Sequence, residues 1–185
     1  MMNRLLYNGL GVILTLGMLG AGHAQTPTTP QPSESVSKLD SVDRQFLDDA
    51  GEAGATEIEG SKLALEKGQH AEVKTFAQKM IDDHTKVAQQ LAALAKSKGY
   101  DAPTEPSLIQ KAKLKALGLR DEGFDEAYAN EIGVSAHEDA VELFEKASQE
   151  VQDPDVKQFA IETLPSLKAH LEHAKTLQQT VVPAK

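Results

Sequence analysis

Three of the chain's six histidines, His84, His137 and His170, stand at helical spacing among apolar residues, and Glu57 does the same further upstream. Neutral imidazoles together with a carboxylate are ligands for zinc, copper or iron, so these four residues form a candidate metal set. Asp83 and Glu138 stand beside two of the histidines and could complete the coordination or orient it. The same residues admit a second reading. Pairs such as Glu57–His84 and His137–His170 would form a closed polar network that sets helix register without any ion. His70 and His173 fall at a helix end and off the apolar stripe, which predicts surface positions. With no cysteine, thiolate ligands, cysteine nucleophiles and disulfides are excluded. Ser61, His84 and Asp83 could be drawn as a triad, but no strained nucleophile turn or oxyanion hole accompanies them. Dispersed glycines leave no phosphate-cradling loop.

The elements that would carry these residues are amphipathic helices. Val73, Ala77, Met80, His84, Val87, Leu91 and Leu94 mark one face of a helix over residues 70–98, ended by Gly99 and Pro103. Before it, Phe46, Ala50, Glu57, Ser61 and Ala64 stripe a helix from Ser41 to Lys67, and Gly68 allows only a short turn between the two. A third helix is predicted over 121–150 through Phe124, Tyr128, Ile132 or Val134, His137, Val141 and Phe144. Asp153-Pro154 then starts a fourth, running to about Gln179, since a capping residue followed by proline suits a first helical turn. Pro165 is expected to kink that helix or open a bulge just before His170.

Between the second and third helices, residues 99–120 are too many for a hairpin link. Ser107 to Gln110 fits a capping box for a short helix over Leu108 to Leu117, before Gly118. The order is hairpin, crossover, hairpin: an all-α four-helix bundle of ferritin-like connectivity, with two antiparallel helical hairpins joined by a long connection. Val73-Lys74-Thr75-Phe76-Ala77 returns as Val156-Lys157-Gln158-Phe159-Ala160, so the second helix of each hairpin carries the same phrase. The four polar core residues lie at distances from their turns that differ by about one helical turn, ~5 Å, and so can meet at one depth.

Residues 1–24 have the form of a secretory signal peptide. Arg4 precedes an apolar run from Leu10 to Leu19, and Gly22-His23-Ala24 places small residues for cleavage after Ala24. The run is shorter than the roughly 20 residues that span a bilayer, and nothing downstream is longer. Residues 25–40 are rich in Pro, Thr and Ser and read as a disordered linker; the bundle is expected over 41–180, with 181–185 a frayed tail. The net charge of −9 disfavours nucleic acid and anionic lipid as partners. The expected location is the periplasm.

The stretches GATEIEG, FAQKMIDDH and DPDVKQFAIETLPSLKAHLEHA, with His137 between the last two, resemble the bacterial domain-of-unknown-function family 4142 over about residues 41–178. Glu57, Met80, Asp83, His84, His137, Pro165 and His170 match its pattern. The resemblance implies export, a ferritin-like fold and an envelope location, and brings no established activity. Catalytic di-iron bundles of ferritin-like fold use Glu-x-x-His on two helices. Here Ile81, Val134 and Leu167 stand three residues before the histidines, so that carboxylate cage is missing. The readings that follow are an exported binding or envelope-stress module with a core metal, a metal-dependent oxidoreductase using the same residues, and an interaction bundle with a metal-free polar core.

Overall fold

The structure, a computed structural model, describes residues 39–181. The expected leader over 1–24, residues 25–38 of the expected linker and residues 182–185 of the tail lie outside the described residues. Four long rods form the bundle: α1 (Ser41–Lys67), α2 (Ala71–Ser97), a composite third rod and α6 (Pro154–Val181). The third rod joins α4 (Phe124–Tyr128), a π-helical stretch (Ala129–Ser135) and α5 (Ala136–Glu150). The crossover carries α3 (Leu108–Gly118). Among the described residues there is no strand, and no helix is long and apolar enough to cross a membrane.

The helix ends follow from local chemistry. Asp40 caps α1: its carboxylate accepts the Val42 and Asp43 amides at 2.7 and 2.9 Å, and Asp43 returns the bond to the Asp40 amide at 3.3 Å. The end of α2 is a Schellman turn, in which the Tyr100 amide donates to Ala95 O at 2.9 Å and the Gly99 amide to Lys96 O at 3.0 Å. Gly99 takes φ 70°, the left-handed conformation this turn requires. At α3, Ser107 and Gln110 form the expected capping box.

Each hairpin's turn is capped by the other hairpin. The Asp125 carboxylate, at the start of the third rod, accepts the Gln69 and His70 amides at 3.0 and 2.8 Å in the α1–α2 turn. The buried Asp43, at the start of α1, accepts the Gln152 and Asp153 amides at 2.7 and 3.1 Å in the α5–α6 turn. These four bonds satisfy amides that a helix start leaves without partners, and they lock opposite hairpins end to end. At the far end of α2, Lys98 pairs with Asp153 at 2.9 Å and so sits beside the start of α6. Those contacts fix the direction of the crossover: it returns the chain from the end of α2 to the opposite end of the bundle, where Asp125 meets the first turn.

The core is two apolar clusters. One gathers Phe76, Met80, Leu114, Leu117, Tyr128, Ile132 and Leu177; the other gathers Phe46, Leu47, Leu91, Phe144, Phe159 and Leu167. Phe46 and Phe144 meet edge to face at 5.0 Å, a contact adding about 1 kcal/mol beyond the area it buries. Val181, expected to fray, is helical and buried, and Leu39, expected in the linker, is buried in the second cluster.

Pro165 lies inside α6, which is one α-helix from Pro154 to Val181 and opens no π-helical bulge there. The carbonyl that loses its donor there belongs to Ile161, and Pro165 and Ile161 both lie on an exposed face, where water can serve it. The irregular turn lies instead in the third rod, as the π-helical stretch one turn before His137. Within it Ile132 and Gly133 are both buried ahead of His137.

Candidate metal centre

Between the two apolar clusters, the four rods contribute one layer of polar side chains: Glu57 from α1, His84 from α2, His137 from α5 and His170 from α6. All four are buried, His137 completely and the others to within 3 % of full burial. Glu57 Oε2 lies 3.0 Å from His84 Nδ1, and Glu57 Oε1 lies 3.6 Å from His137 Nδ1. His137 Nδ1 is also 3.2 Å from the Ile132 carbonyl, at the heart of the π-helical stretch. His170 Nε2 is 3.1 Å from Asp83 Oδ2, and Asp83 in turn is held by Lys79 at 2.6 Å.

These contacts assign the ring nitrogens. Nδ1 of His84 faces a carboxylate and Nδ1 of His137 faces a carbonyl; both neighbours only accept, so both nitrogens carry hydrogen and donate. In neutral rings the two Nε2 atoms are then both lone pairs. Yet these atoms face one another at 3.3 Å. A second proton on either ring, or a metal ion between them, would satisfy both. Two nitrogens bound tetrahedrally at about 2.0–2.1 Å from one ion are about 3.3–3.4 Å apart, so the observed gap fits an ion.

His170 completes the set. Donor atoms of His84, His137 and His170 all lie within 4.8 Å of one another. Its Nε2 donates to Asp83, which leaves Nδ1 as a lone pair, and that buried Nδ1 has no hydrogen-bond partner. Glu57 Oε1 is likewise buried without one. Unpartnered polar atoms in a core cost about 1–3 kcal/mol each.

Electrostatics follow the same geometry. Burial works against a charged Glu57, but the charges of His84 and His137 and the His84 hydrogen bond outweigh it and hold its pKa low. Burial works against a charged His84 too, and Glu57 outweighs it by charge and hydrogen bond, raising the imidazole's pKa. His170 goes the other way: burial, with the nearby charge of His84, pushes it down to about 4 despite the Asp83 hydrogen bond. Asp83 is pulled down to about 2, chiefly by the Lys79 hydrogen bond. At neutral pH the layer holds an anionic Glu57 and a His170 whose lone pair is free.

The sequence-derived set is therefore brought together with one exception. Glu57, His84, His137 and His170 converge, and Asp83 supports His170 from the rim. Glu138 does not take part. It is exposed, because the residue after a buried one on a helix points about 100° away, and His137 takes the inward position. The suggested His137–His170 pair is also not formed; His137 faces His84 and His170 turns to Asp83. His70 and His173 are exposed, as expected. Sequence reasoning missed Tyr128, whose buried hydroxyl lies 2.9 Å from Ser61 Oγ. Burial raises that phenol's pKa well above its ordinary value, with the Ser61 bond opposing, so it stays neutral. The only signal in the sequence is that Tyr128 and Ser61 both lie on core stripes.

A family model described as "Domain of unknown function (DUF4142)" matches residues 28–177. The chain belongs to this family. No curated protein matches the sequence. Among solved structures, the DUF4142 chain is similar to CopM in its Cu(I)-bound form, with 19% identity, a TM-score of 0.65, and coverage of 76% of this chain and 98% of that one. It is also similar to a DUF305 fragment from Deinococcus radiodurans, with 16% identity, a TM-score of 0.66, and coverage of 77% and 98%. CopM in its Cu(II)-bound form aligns with 18% identity and a TM-score of 0.63 over 76% of this chain and 97% of that one. At these identities the similarity is one of fold.

Proposed function

We propose that this DUF4142 protein is an exported metal-binding module that holds one transition-metal ion in the middle of its bundle. His84 Nε2, His137 Nε2 and His170 Nδ1 would be the ligands. Glu57 lies behind the first two, fixing the His84 tautomer and supplying negative charge, and Asp83 does the same for His170. This arrangement of carboxylate behind imidazole is how metal-binding histidines are usually oriented. The observation that carries the reading is the 3.3 Å approach of two ring nitrogens whose Nδ1 partners leave both of them as lone pairs.

Copper is the first candidate. Imidazole donors suit copper and zinc, and among divalent first-row ions a nitrogen site binds copper most tightly. CopM, similar in fold, is known in Cu(I)-bound and Cu(II)-bound forms, which favours the same ion. Binding rather than catalysis is favoured by closure of the site. A cavity of about 70 Å³ reaches His84 from beneath the crossover, between α1 and α2. That space holds about two waters, too little for an organic substrate. Export and an envelope location are supported by the signal-like residues 1–24.

The test is titration of the untagged protein with Cu(II) and Zn(II), each followed by elemental analysis after gel filtration. One ion per chain, lost in His84→Ala/His137→Ala/His170→Ala, supports the reading. No retained metal in the parent protein would instead leave a shared proton between His84 and His137 and a metal-free core.

A further inference from the structure

The three most exposed large apolar residues among those described are Leu108 at 86 %, Leu119 at 74 % and Ile109 at 72 %, and all belong to α3 or its C-cap. The remaining two, Ile161 and Val42, are near 45 %. Clustering of this kind in an acidic chain calls for a cause. α3 uses Leu114 and Leu117 to pack on the bundle, and both are buried. On the opposite side, at 100° per residue, Leu108, Ala112, Ala116 and Leu119 form one outward line, with Ile109 beside it. Every one of these five is exposed.

Charge follows the same axis. Between Leu108 and Arg120 stand four basic residues, Lys111, Lys113, Lys115 and Arg120, and no acidic one, in a chain of net charge −9. Lys111 and Lys115 flank the apolar line on one side, Lys113 and Arg120 on the other. Lys111 pairs with Glu105 and Arg120 lies 3.8 Å from Glu131, while Lys113 and Lys115 make no ion pair among the described residues. An aliphatic ridge edged on both sides by lysines is the pattern of a helix lying in a membrane interface, its alkyl stems along the apolar layer and its ammonium groups at the anionic headgroups.

We infer that α3 docks the protein onto an anionic lipid bilayer, parallel to the surface, through Leu108, Ile109 and Leu119 with Lys111, Lys113 and Lys115. The acidic remainder of the molecule would be repelled by the same surface, which leaves α3 as the contact. A second copy of the chain is a poorer occupant, because a two-fold contact along α3 would bring lysine against lysine. A protein partner is a poorer one too, since protein interfaces are enriched in aromatic residues and arginine and depleted in lysine, and the outward face of α3 is aliphatic and lysine-rich.

The experiment is flotation of the purified protein with vesicles of equal parts phosphatidylglycerol and phosphatidylcholine, against vesicles of phosphatidylcholine alone. The protein should float with the anionic vesicles only, and be released at about 0.5 M salt, where screening shortens to about 4 Å. Lys111→Gln/Lys113→Gln/Lys115→Gln should lower partitioning by at least about tenfold, and Leu108→Ser/Ile109→Ser/Leu119→Ser should abolish it. These side chains are exposed, so circular dichroism and the thermal midpoint of both variants should match the parent. No flotation with anionic vesicles overturns the inference, as does flotation that both variants retain. Sedimentation as a dimer that the serine variant disperses, with no flotation, would assign the ridge to self-association instead.

Discussion

The two hairpins repeat each other where the fold is made and differ where the chemistry is. Adding 83 to Gly68–His70 gives Val151–Asp153, the second turn, and adding 83 to Val73, Phe76 and Ala77 gives Val156, Phe159 and Ala160, each pair buried. Asp43 and Asp125, 82 apart, do the same task at opposite ends, each capping the other hairpin's turn. The polar layer breaks this repeat at every member. The equivalent of Glu57 is Ala140, of His84 Leu167, of His137 Gly54 and of His170 Val87. Packing a bundle of this shape thus requires none of the four at its equivalent position. What the repeat holds in common is architecture; what only one half carries at each position is the candidate centre.

Substitutions at the two kinds of position separate the roles. The largest stability loss is expected from Glu57→Leu, measured by urea unfolding in chelator. Removing one partner of a buried pair costs about 3–5 kcal/mol, and His84 Nδ1 would lose its acceptor. A loss under about 1 kcal/mol would mean that the carboxylate is not engaged in the folded chain. Next come Asp43→Ala and Asp125→Ala. Each strips turn amides of their acceptor, mostly in part-buried bonds, and should cost about 1–2 kcal/mol, with similar values in the two halves. If one is silent, the end-to-end capping is not shared.

A smaller effect is expected from pH in the metal-free protein. His170 has a folded pKa of about 4 against an ordinary 6.5. Between those values the unfolded chain binds a proton that the folded chain does not, so stability falls as pH drops through that window. His84 works oppositely. Its pKa is raised, so its contribution is complete below about 6.5 and is lost as pH rises through the folded value. Stability should peak near pH 6.5. His170→Leu should flatten the acid limb, whose slope is at most about 1.4 kcal/mol per pH unit; an unchanged limb would assign it elsewhere. The smallest effect belongs to Glu138→Gln, which should leave metal affinity within about twofold, because an exposed side chain on the wrong face gives no ligand.

Most of this division was legible in the sequence, and the illegible part has physical causes. Helix ends at Gly99, Ser107 and Asp153-Pro154 come from local chemistry, and the apolar stripes select the inward faces, so the convergence of Glu57, His84, His137 and His170 follows. The π-helical turn was hidden because a five-residue step from Ile132 to His137 also fits a regular helix passing through Val134. The bulge considered at Pro165 does not open; the Ile161 carbonyl it frees lies on an exposed face, and that exposure is not written in the sequence. Ring directions were hidden too: which nitrogen of each histidine faces inward is decided by the Ile132 carbonyl and by Asp83, contacts made across turns and between helices.

The central claim concerns one point in space, between three rings. Anomalous diffraction at the copper edge from crystals of the copper-loaded protein tests it most directly. The account predicts a single peak about 2.0–2.1 Å from His84 Nε2 and His137 Nε2, with the His170 ring drawn in toward it and Glu57 still behind His84. Copper found only at surface carboxylates such as Asp82, with the two Nε2 atoms still 3.3 Å apart and nothing between them, would contradict it.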